Sequence, residues 1–430
     1  MKNRQLTLSI LTVGLALGTA WAIRGKFGHE QGAAWAGAIG ALALILVAKR
    51  NDWYEKAFRI TLAAAFGWGI SGLMSYGMIV GYGRGTDFVN VYYGLLMLFV
   101  LGILYGFIGG GLFGLALVDS KTTKVKWHSV LTEMIAIGLL TYGFLVMQIG
   151  WMMTPPRSEM WASCLGASIA LAWYIRRNDH QNVLKVAVCS ALGAGFGFAF
   201  GNFLQVMGNV SGLPFNFWNV MEYSIGFFGG IGMAYGTFTS QWAVTEVKSH
   251  PRSSVIPILL VALFIPFVVW DQTFVDDRFD FILESGGSAA MIFYFKLIAI
   301  LAIVGVAFHT LRRNYSLTHG EDRANGRVRE FFLLYFGLYI LLSFLVTGIY
   351  VHPLEQYLYI INMLVIIVLI SRSDIAFSVT ESRPRRWLAT AVISVVFLAL
   401  LAIIAINSHG EMGGSQKRFG KKLQEQSKSE

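Results

Sequence analysis

Long apolar stretches separated by short polar segments recur along the whole of this 430-residue chain. A helix needs about 17–25 apolar residues to cross the roughly 30 Å of hydrocarbon in a lipid bilayer. The sequence therefore predicts an all-α polytopic membrane protein with about thirteen transmembrane helices. The thirteen stretches lie near 6–23, 30–48, 58–80, 90–117, 129–151, 158–175, 184–206, 217–241, 254–270, 288–311, 331–351, 355–371 and 387–406.

The composition agrees with a lipid bilayer as the main partner. Hydrophobic residues make up 55% of the chain and charged residues 13%, whereas a soluble domain carries about 25% charged residues. The chain has only two cysteines, which excludes a small disulfide-rich secreted fold. A soluble globular protein is excluded by the same numbers.

The positions of the charges that give the net charge of +10 indicate how the protein is oriented in the membrane, and not nucleic-acid binding. Most of the Lys and Arg residues lie in segments on the N-terminal side of the predicted bundle, including a dense group at 312–329. Short loops rich in Lys and Arg stay in the cytoplasm. We therefore expect a bacterial inner-membrane protein with a cytoplasmic N-terminus. An odd number of crossings places the basic tail, 408–430, outside the cell.

The first two thirds of the chain contain an internal repeat. Residues 1–118 and 128–241 align in the same order, from Gly14-Leu15 on Gly138-Leu139 to Tyr105-Gly106 on Tyr235-Gly236. Each copy holds four predicted crossings. An even number gives both copies the same orientation, so the sequence predicts a parallel 4+4 helix repeat.

Glycine separates the repeat from the remainder of the chain. Most of the 47 glycines lie before residue 241, often four residues apart, as in Gly106, Gly110 and Gly114. Such spacing aligns small residues on one helix face and permits close packing in lipid. It also permits helices to break, as they do at transport sites. The following five-helix block, 254–407, is predicted to cover the core or to mediate homo-oligomer formation.

Polar residues at membrane depth are costly and are therefore candidates for function. The segment Arg24–Ala33 places two cations, a histidine, a carboxylate and several glycines in one turn. We interpret cationic and amide side chains as substrate ligands, and carboxylate and imidazole groups as carriers of a coupling proton. The predicted substrate-binding residues are Arg24, Arg157, Asn202, Gln205 and Asn219. The predicted coupling residues are Glu30, Glu222 and His29.

Three functions remain open at this stage. The first is a secondary transporter for a small polar or anionic solute, with its site in the outer half of the repeat core. The second is a membrane-embedded transferase or hydrolase that acts on a lipid-linked or periplasmic substrate, with His29 and Glu30 as acid and base. The third is a structural subunit of a membrane complex. No metal-ligand spacing or nucleotide-binding motif occurs in the sequence, so we expect no metal and no cofactor.

Overall fold

Helices are the only regular secondary structure in the part of the chain that the computed structural model describes, which is residues 2–27, 29–244, 251–284, 287–315, 321–373, 377–381 and 383–420. The first repeat region contains α1 (Lys2–Arg24), α2 (His29–Ala48), α3 (Asn51–Glu55), α4 (Ala57–Ser71), α5 (Gly77–Tyr82) and α6 (Phe88–Val118). The second contains α7 (Trp127–Tyr142), which continues as a π-helix over Gly143–Gln148, then α8 (Trp161–Arg177), α9 (Gln181–Val210) and α10 (Phe217–Phe238).

The C-terminal region contributes eight further α-helices. They are α11 (Val255–Ile258), α12 (Ile265–Thr273), α13 (Asp280–Glu284), α14 (Ala289–Tyr315), α15 (Glu321–Ser343), α16 (Ile349–Val351), α17 (Leu354–Arg372) and α18 (Pro384–Ile406). The π-helix Leu259–Phe264 joins α11 to α12, and the π-helix Phe344–Gly348 joins α15 to α16. Two 3₁₀ turns lie at Pro251–Ser254 and Asp276–Arg278.

Ten helical segments of the described chain are long and apolar enough to cross a membrane, which makes the protein a multi-pass membrane protein. These segments are Arg4–Arg24, Glu30–Ala48, Phe88–Val118, Trp127–Gln148, Gln181–Val210, Val255–Thr273, Ala289–Tyr315, Ala324–Thr347, Leu354–Arg372 and Pro384–Ile406. Three predicted crossings are not among them. The stretch 158–175 forms α8, which has 17 residues, and the stretch 217–241 forms α10, which has 22 residues but carries Asn219 and Glu222.

The third missing crossing corrects the sequence prediction. The stretch 58–80 is not one helix, because α4 ends at Ser71 and α5 begins at Gly77. The Ser71 hydroxyl donates to the Gly67 carbonyl (3.0 Å), and the Gly72 amide donates to the carbonyls of Trp68 and Gly69. Helix α4 therefore ends before Gly72, and residues 72–76 form a non-helical link.

Helices α1, α6, α9 and α10 form the close-packed core, and their glycines make the close packing possible. A Cβ atom on Gly106 would lie 2.2 Å from the Ser190 carbonyl oxygen, and one on Gly193 would lie 2.2 Å from that of Phe228. A Cβ on Gly226 would lie 2.4 Å from the Leu17 carbonyl oxygen. No larger residue fits at these contacts, so the glycine spacing of the sequence serves helix packing.

The C-terminal helices surround this core on several sides. Helices α12 and α15 contact α2, α17 contacts α1, and α18 contacts α6 and α9. Their outer faces expose large apolar side chains, for example Phe308 and Leu388. Such faces are expected where helices contact lipid tails.

The C-terminal residues 411–420 return to the end of the bundle where α5 ends and α6 begins. The Gln416 amide donates to the Gly81 carbonyl (2.9 Å). The amides of Arg418 and Phe419 both donate to Asn90 Oδ1, at 2.6 and 2.9 Å. This part of the tail therefore lies against the same end of the bundle as residues 81–90.

Candidate functional site: a buried arginine–glutamate pair

Arg24 is the last residue of α1, and its side chain turns back into the bundle. Side chains of an α-helix lean toward the helix N-terminus. The guanidinium accordingly lies over the ring of Trp21, one turn earlier, with 5.6 Å from Cζ to the ring centroid. Only 2% of the residue is exposed. Arg24 is therefore a buried cation and does not extend to the aqueous interface.

Glu222 neutralises this cation from α10. Its carboxylate accepts from Arg24 Nη1 at 3.0 Å (Oε2) and 3.1 Å (Oε1). Tyr76 Oη donates to Glu222 Oε1 at 2.7 Å and also contacts Arg24 Nη1. All three side chains are buried. They form a charge-paired triad with no net charge, in which each ion has hydrogen-bonded partners as burial requires.

Tyr76 reaches the triad because the chain is not helical between α4 and α5. It is the last residue of the link 72–76, immediately before α5. Non-helical backbone is tolerated at membrane depth only where protein or a water-filled cavity surrounds it. Broken helices of this kind commonly form the binding sites of transporters. The break therefore places a non-helical segment of backbone directly beside the buried ion pair.

Aromatic rings from four helices enclose the triad. Trp21 packs edge-on against Trp68 of α4 (5.1 Å between ring centroids) and against Tyr105 of α6 (5.8 Å). Phe198 of α9 contacts both Tyr105 (5.0 Å) and Tyr76 (5.2 Å). These rings exclude water and lower the local dielectric constant, which strengthens the interaction between Arg24 and Glu222.

Two buried donors near the triad have no acceptor. Within the described residues, the indole N–H groups of Trp21 and Trp68 make no hydrogen bond. A buried polar group without a partner is uncommon in folded proteins and requires an explanation. Donors in these positions are suited to a bound anion or water.

Asn219 extends the polar surface of α10 by one turn from Glu222. Its Nδ2 donates to the Ala22 carbonyl (2.9 Å) and to Tyr359 Oη of α17 (2.6 Å). Three residues cover about 4.5 Å along a helix. Asn219 therefore lies just above the triad, toward the start of α10.

Asn216 and Lys26 continue this polar row to the surface. Asn216, the N-cap of α10, donates from Nδ2 to Glu355 Oε1 (3.0 Å). Lys26 Nζ lies 3.3 Å from the same oxygen, and its side chain is 19% exposed. A row of polar groups thus runs from the partly exposed Lys26 to the buried Glu222.

Gly32 makes room for Arg24. A Cβ atom on Gly32 would lie 2.8 Å from Arg24 Cγ. The Gly32 carbonyl also accepts from Tyr339 Oη of α15 (3.1 Å). This glycine of the Arg24–Ala33 segment therefore accommodates Arg24 itself.

Asn202 and Gln205 form a second polar pair on α9. Asn202 Nδ2 lies 3.4 Å from Gln205 Oε1 and 3.4 Å from the Val80 carbonyl oxygen. Asn202 Oδ1 and Gln205 Nε2 are buried and have no partner in the described part of the chain. The contact with the Val80 carbonyl places this pair against α5.

The remaining predicted site residues are Arg157, Glu30 and His29. Arg157 is in an exposed loop, and Glu30 is a partly buried residue in the first turn of α2. The side chain of His29 lies outside the described residues, as does Gly28. The geometry therefore brings together Arg24, Glu222 and Asn219, whereas Asn202 and Gln205 form a separate pair.

Sequence reasoning missed the tyrosines of the site. Tyr76, Tyr339 and Tyr359 each place a hydroxyl on the residues that the sequence singled out or on their neighbours. A buried tyrosine usually finds a hydrogen-bond partner, so tyrosines inside apolar stretches were the available signal. Comparison with known protein families, curated proteins and solved structures gives no match to this chain.

Proposed function

We propose that this protein is a secondary transporter for a small anionic or polar solute, and that the triad Arg24–Glu222–Tyr76 is its binding and coupling site. The observation that carries the proposal is a fully buried ion pair beside a broken helix, joined to the surface by a row of polar groups. Buried charges at membrane depth are expensive and are commonly functional. A packing role alone is served equally well by apolar residues.

Competition for Arg24 supplies the coupling. A solute carboxylate that reaches the triad displaces Glu222 from the guanidinium. The released carboxylate is then a buried, unpaired anion, and burial favours its protonated form. Solute binding at Arg24 and proton uptake at Glu222 thus occur together, which links the movement of the solute to that of a proton.

The predicted repeat places this site between its two copies. Arg24 and Tyr76 belong to residues 1–118, whereas Glu222 belongs to residues 128–241. Transporters built from repeats commonly bind their substrates at the repeat interface. The two copies are not equivalent in their surroundings, because the helix of Arg4–Arg24 is mostly buried and that of Trp127–Gln148 is mostly exposed.

We propose thirteen crossings and not ten. The additional three are α4 with α5, α8 and α10. Each has a reason to be short or polar: α4 with α5 is broken, α8 has 17 residues, near the lower limit for a span, and α10 carries the polar row. With α4 and α5 counted as one crossing, three crossings precede Gly81 and Asn90, and the contact of the tail with these residues agrees with an odd total. With a cytoplasmic N-terminus in the bacterial inner membrane, the tail and the polar row face outward.

Uptake into proteoliposomes tests the proposal. Purified protein is reconstituted and assayed with a panel of radiolabelled small carboxylates and acidic sugars. We expect uptake of at least one of them by the unaltered protein, and its loss in Arg24→Ala and Glu222→Gln. The matched control is Glu133→Gln, because Glu133 also pairs with an arginine, Arg177, but at an exposed site (2.7 Å, side chains 30% and 43% exposed). Uptake that survives both triad substitutions would overturn the site assignment.

A further inference from the structure

A large groove opens on the side of the bundle opposite to the polar row. It has a volume of about 950 Å³ and is lined by residues of α4, the end of α6, the start of α7 and the α11 region. By the order of the crossings, this is the side of the N-terminus. None of the triad residues lines the groove.

One end of the groove carries cations that no acid neutralises. Arg59, Lys121 and Lys124 line it, are exposed, and have no hydrogen bond or ion pair to any described residue. Their position at the ends of membrane helices places them at the level of lipid headgroups. They are therefore available to an anionic ligand.

The two acidic residues of the lining are already occupied. Asp119 accepts from the Val125 amide (3.0 Å) and from Trp127 Nε1 (2.9 Å). Glu55 lies 3.9 Å from Arg327. Asp119 keeps its negative charge, but Arg59, Lys121 and Lys124 outnumber it, so the groove end is net positive.

Lys56 adds a further positive charge, and its ammonium group is held in place by backbone. Its Nζ donates to the carbonyls of Leu117 (2.7 Å) and Asp119 (2.9 Å) at the end of α6. Burial lowers the pKa of Lys56 to about 8. A nearby anion would favour its charged form.

The walls of the groove become apolar toward the membrane interior. Phe66 lies seven residues beyond Arg59 on α4, and Leu112 lies seven residues before Asp119 on α6. Seven residues span about 10 Å of helix. Leu62, Ala63, Ala116, Leu131 and Leu260 complete this apolar surface.

We propose that this groove binds an anionic phospholipid of the leaflet on the N-terminal side. Its phosphate lies among Arg59, Lys121 and Lys124, and an acyl chain lies along the apolar wall. The volume falls within the range of about 300–1,000 Å³ usual for ligand pockets. Basic pockets between membrane helices on the cytoplasmic side bind acidic lipid headgroups. A soluble anion fits only the charged end and leaves the apolar wall unused.

Native mass spectrometry of the full-length protein in detergent tests this assignment. The probes are phosphatidylglycerol and phosphatidylcholine with identical acyl chains. We expect the unaltered protein to retain phosphatidylglycerol preferentially. The triple variant Arg59→Gln, Lys121→Gln, Lys124→Gln should bind it about tenfold more weakly or worse, since each cation near a membrane surface contributes about 1 kcal/mol. Equal retention of the two lipids by the unaltered protein would overturn the proposal.

Two controls separate the groove from general surface charge. The variant Arg372→Gln, Arg385→Gln, Arg386→Gln removes three exposed cations from other loops on the same predicted side and should bind phosphatidylglycerol normally. Ala63→Phe narrows the apolar wall without changing charge and should weaken binding. An equal loss in the matched control, unchanged binding in Ala63→Phe, or displacement of the lipid by inorganic phosphate at the same concentration would each overturn the proposal.

Discussion

Breaking the Arg24–Glu222 pair from one side should destabilise the protein far more than removing both partners. In Glu222→Leu, the guanidinium of Arg24 stays at a site where only 2% of the residue is exposed. Removing one partner of a buried ion pair costs about 3–5 kcal/mol, because the other charge is left uncompensated. We expect a loss of this size in the free energy of unfolding, and a similar loss in Arg24→Met.

The double variant Arg24→Met, Glu222→Leu should recover most of that loss. Apolar residues of similar volume commonly replace a buried ion pair without cost. What remains is the hydroxyl of Tyr76, which donates to Glu222 at 2.7 Å and would lose that acceptor. Removing the acceptor of a buried donor costs up to about 1–3 kcal/mol. Adding Tyr76→Phe to the double variant should remove this residual penalty.

Thermal and denaturant unfolding in detergent, followed by tryptophan fluorescence, measures these differences. Glu133→Gln again serves as the control and should cost less than about 1 kcal/mol, as expected for an exposed pair. A loss in Glu222→Leu no larger than in this control would refute the reasoning. So would a double variant that is as unstable as the sum of the two single variants. A double variant that is stable but inactive in uptake separates transport from folding.

Three further outcomes follow from other parts of the structure. Gly106→Ala should destabilise the protein by about 1–3 kcal/mol or more, the cost of overpacking, because its Cβ would lie 2.2 Å from the Ser190 carbonyl oxygen. The control Gly305→Ala should be tolerated in the same unfolding assay, because its Cβ would meet no atom within 4 Å. Asn219→Ala loses hydrogen bonds to the Ala22 carbonyl and to Tyr359 of α17 and should raise the KM of uptake. An unchanged KM would show that Asn219 takes no part in the route of the solute. The free energy of unfolding should rise between about pH 8 and pH 10.5. Lys56 releases its proton near pH 8 in the folded protein and near pH 10.5 in the unfolded chain, so the unfolded chain binds more protons in this range. If the free energy of unfolding of Lys56→Met depended on pH with the same slope, this prediction would be contradicted.

The helical membrane class could be predicted from the sequence because hydrocarbon thickness imposes a fixed length on apolar stretches. The glycine-mediated contacts were also foreseeable, since small residues four apart align on one face. The break at 72–76 was not, because glycine and serine are compatible with both a continuous and a broken helix in lipid. Whether the helix ends at Ser71 or continues depends on tertiary packing.

The candidate site could be predicted only in part. The free-energy cost of placing polar side chains in the membrane identifies Arg24, Asn219 and Glu222 individually. The sequence does not indicate that residues 24 and 222 are in contact. Arg157 illustrates the converse case, because a charged residue beside a predicted crossing can equally well lie in an exposed loop. The contact of Tyr76 with the ion pair depends on the helix break at 72–76, so it could not be predicted from the sequence either.

The most direct test of the transport mechanism measures solute uptake and internal pH in the same proteoliposomes. With a pH-sensitive dye inside the vesicles, addition of a transported solute should acidify the interior of vesicles that contain the unaltered protein. Glu222→Gln should abolish both the uptake and the acidification, because its amide cannot carry the proton that accompanies the solute. Acidification by Glu222→Gln equal to that of the unaltered protein would contradict the assignment of Glu222 as the coupling group.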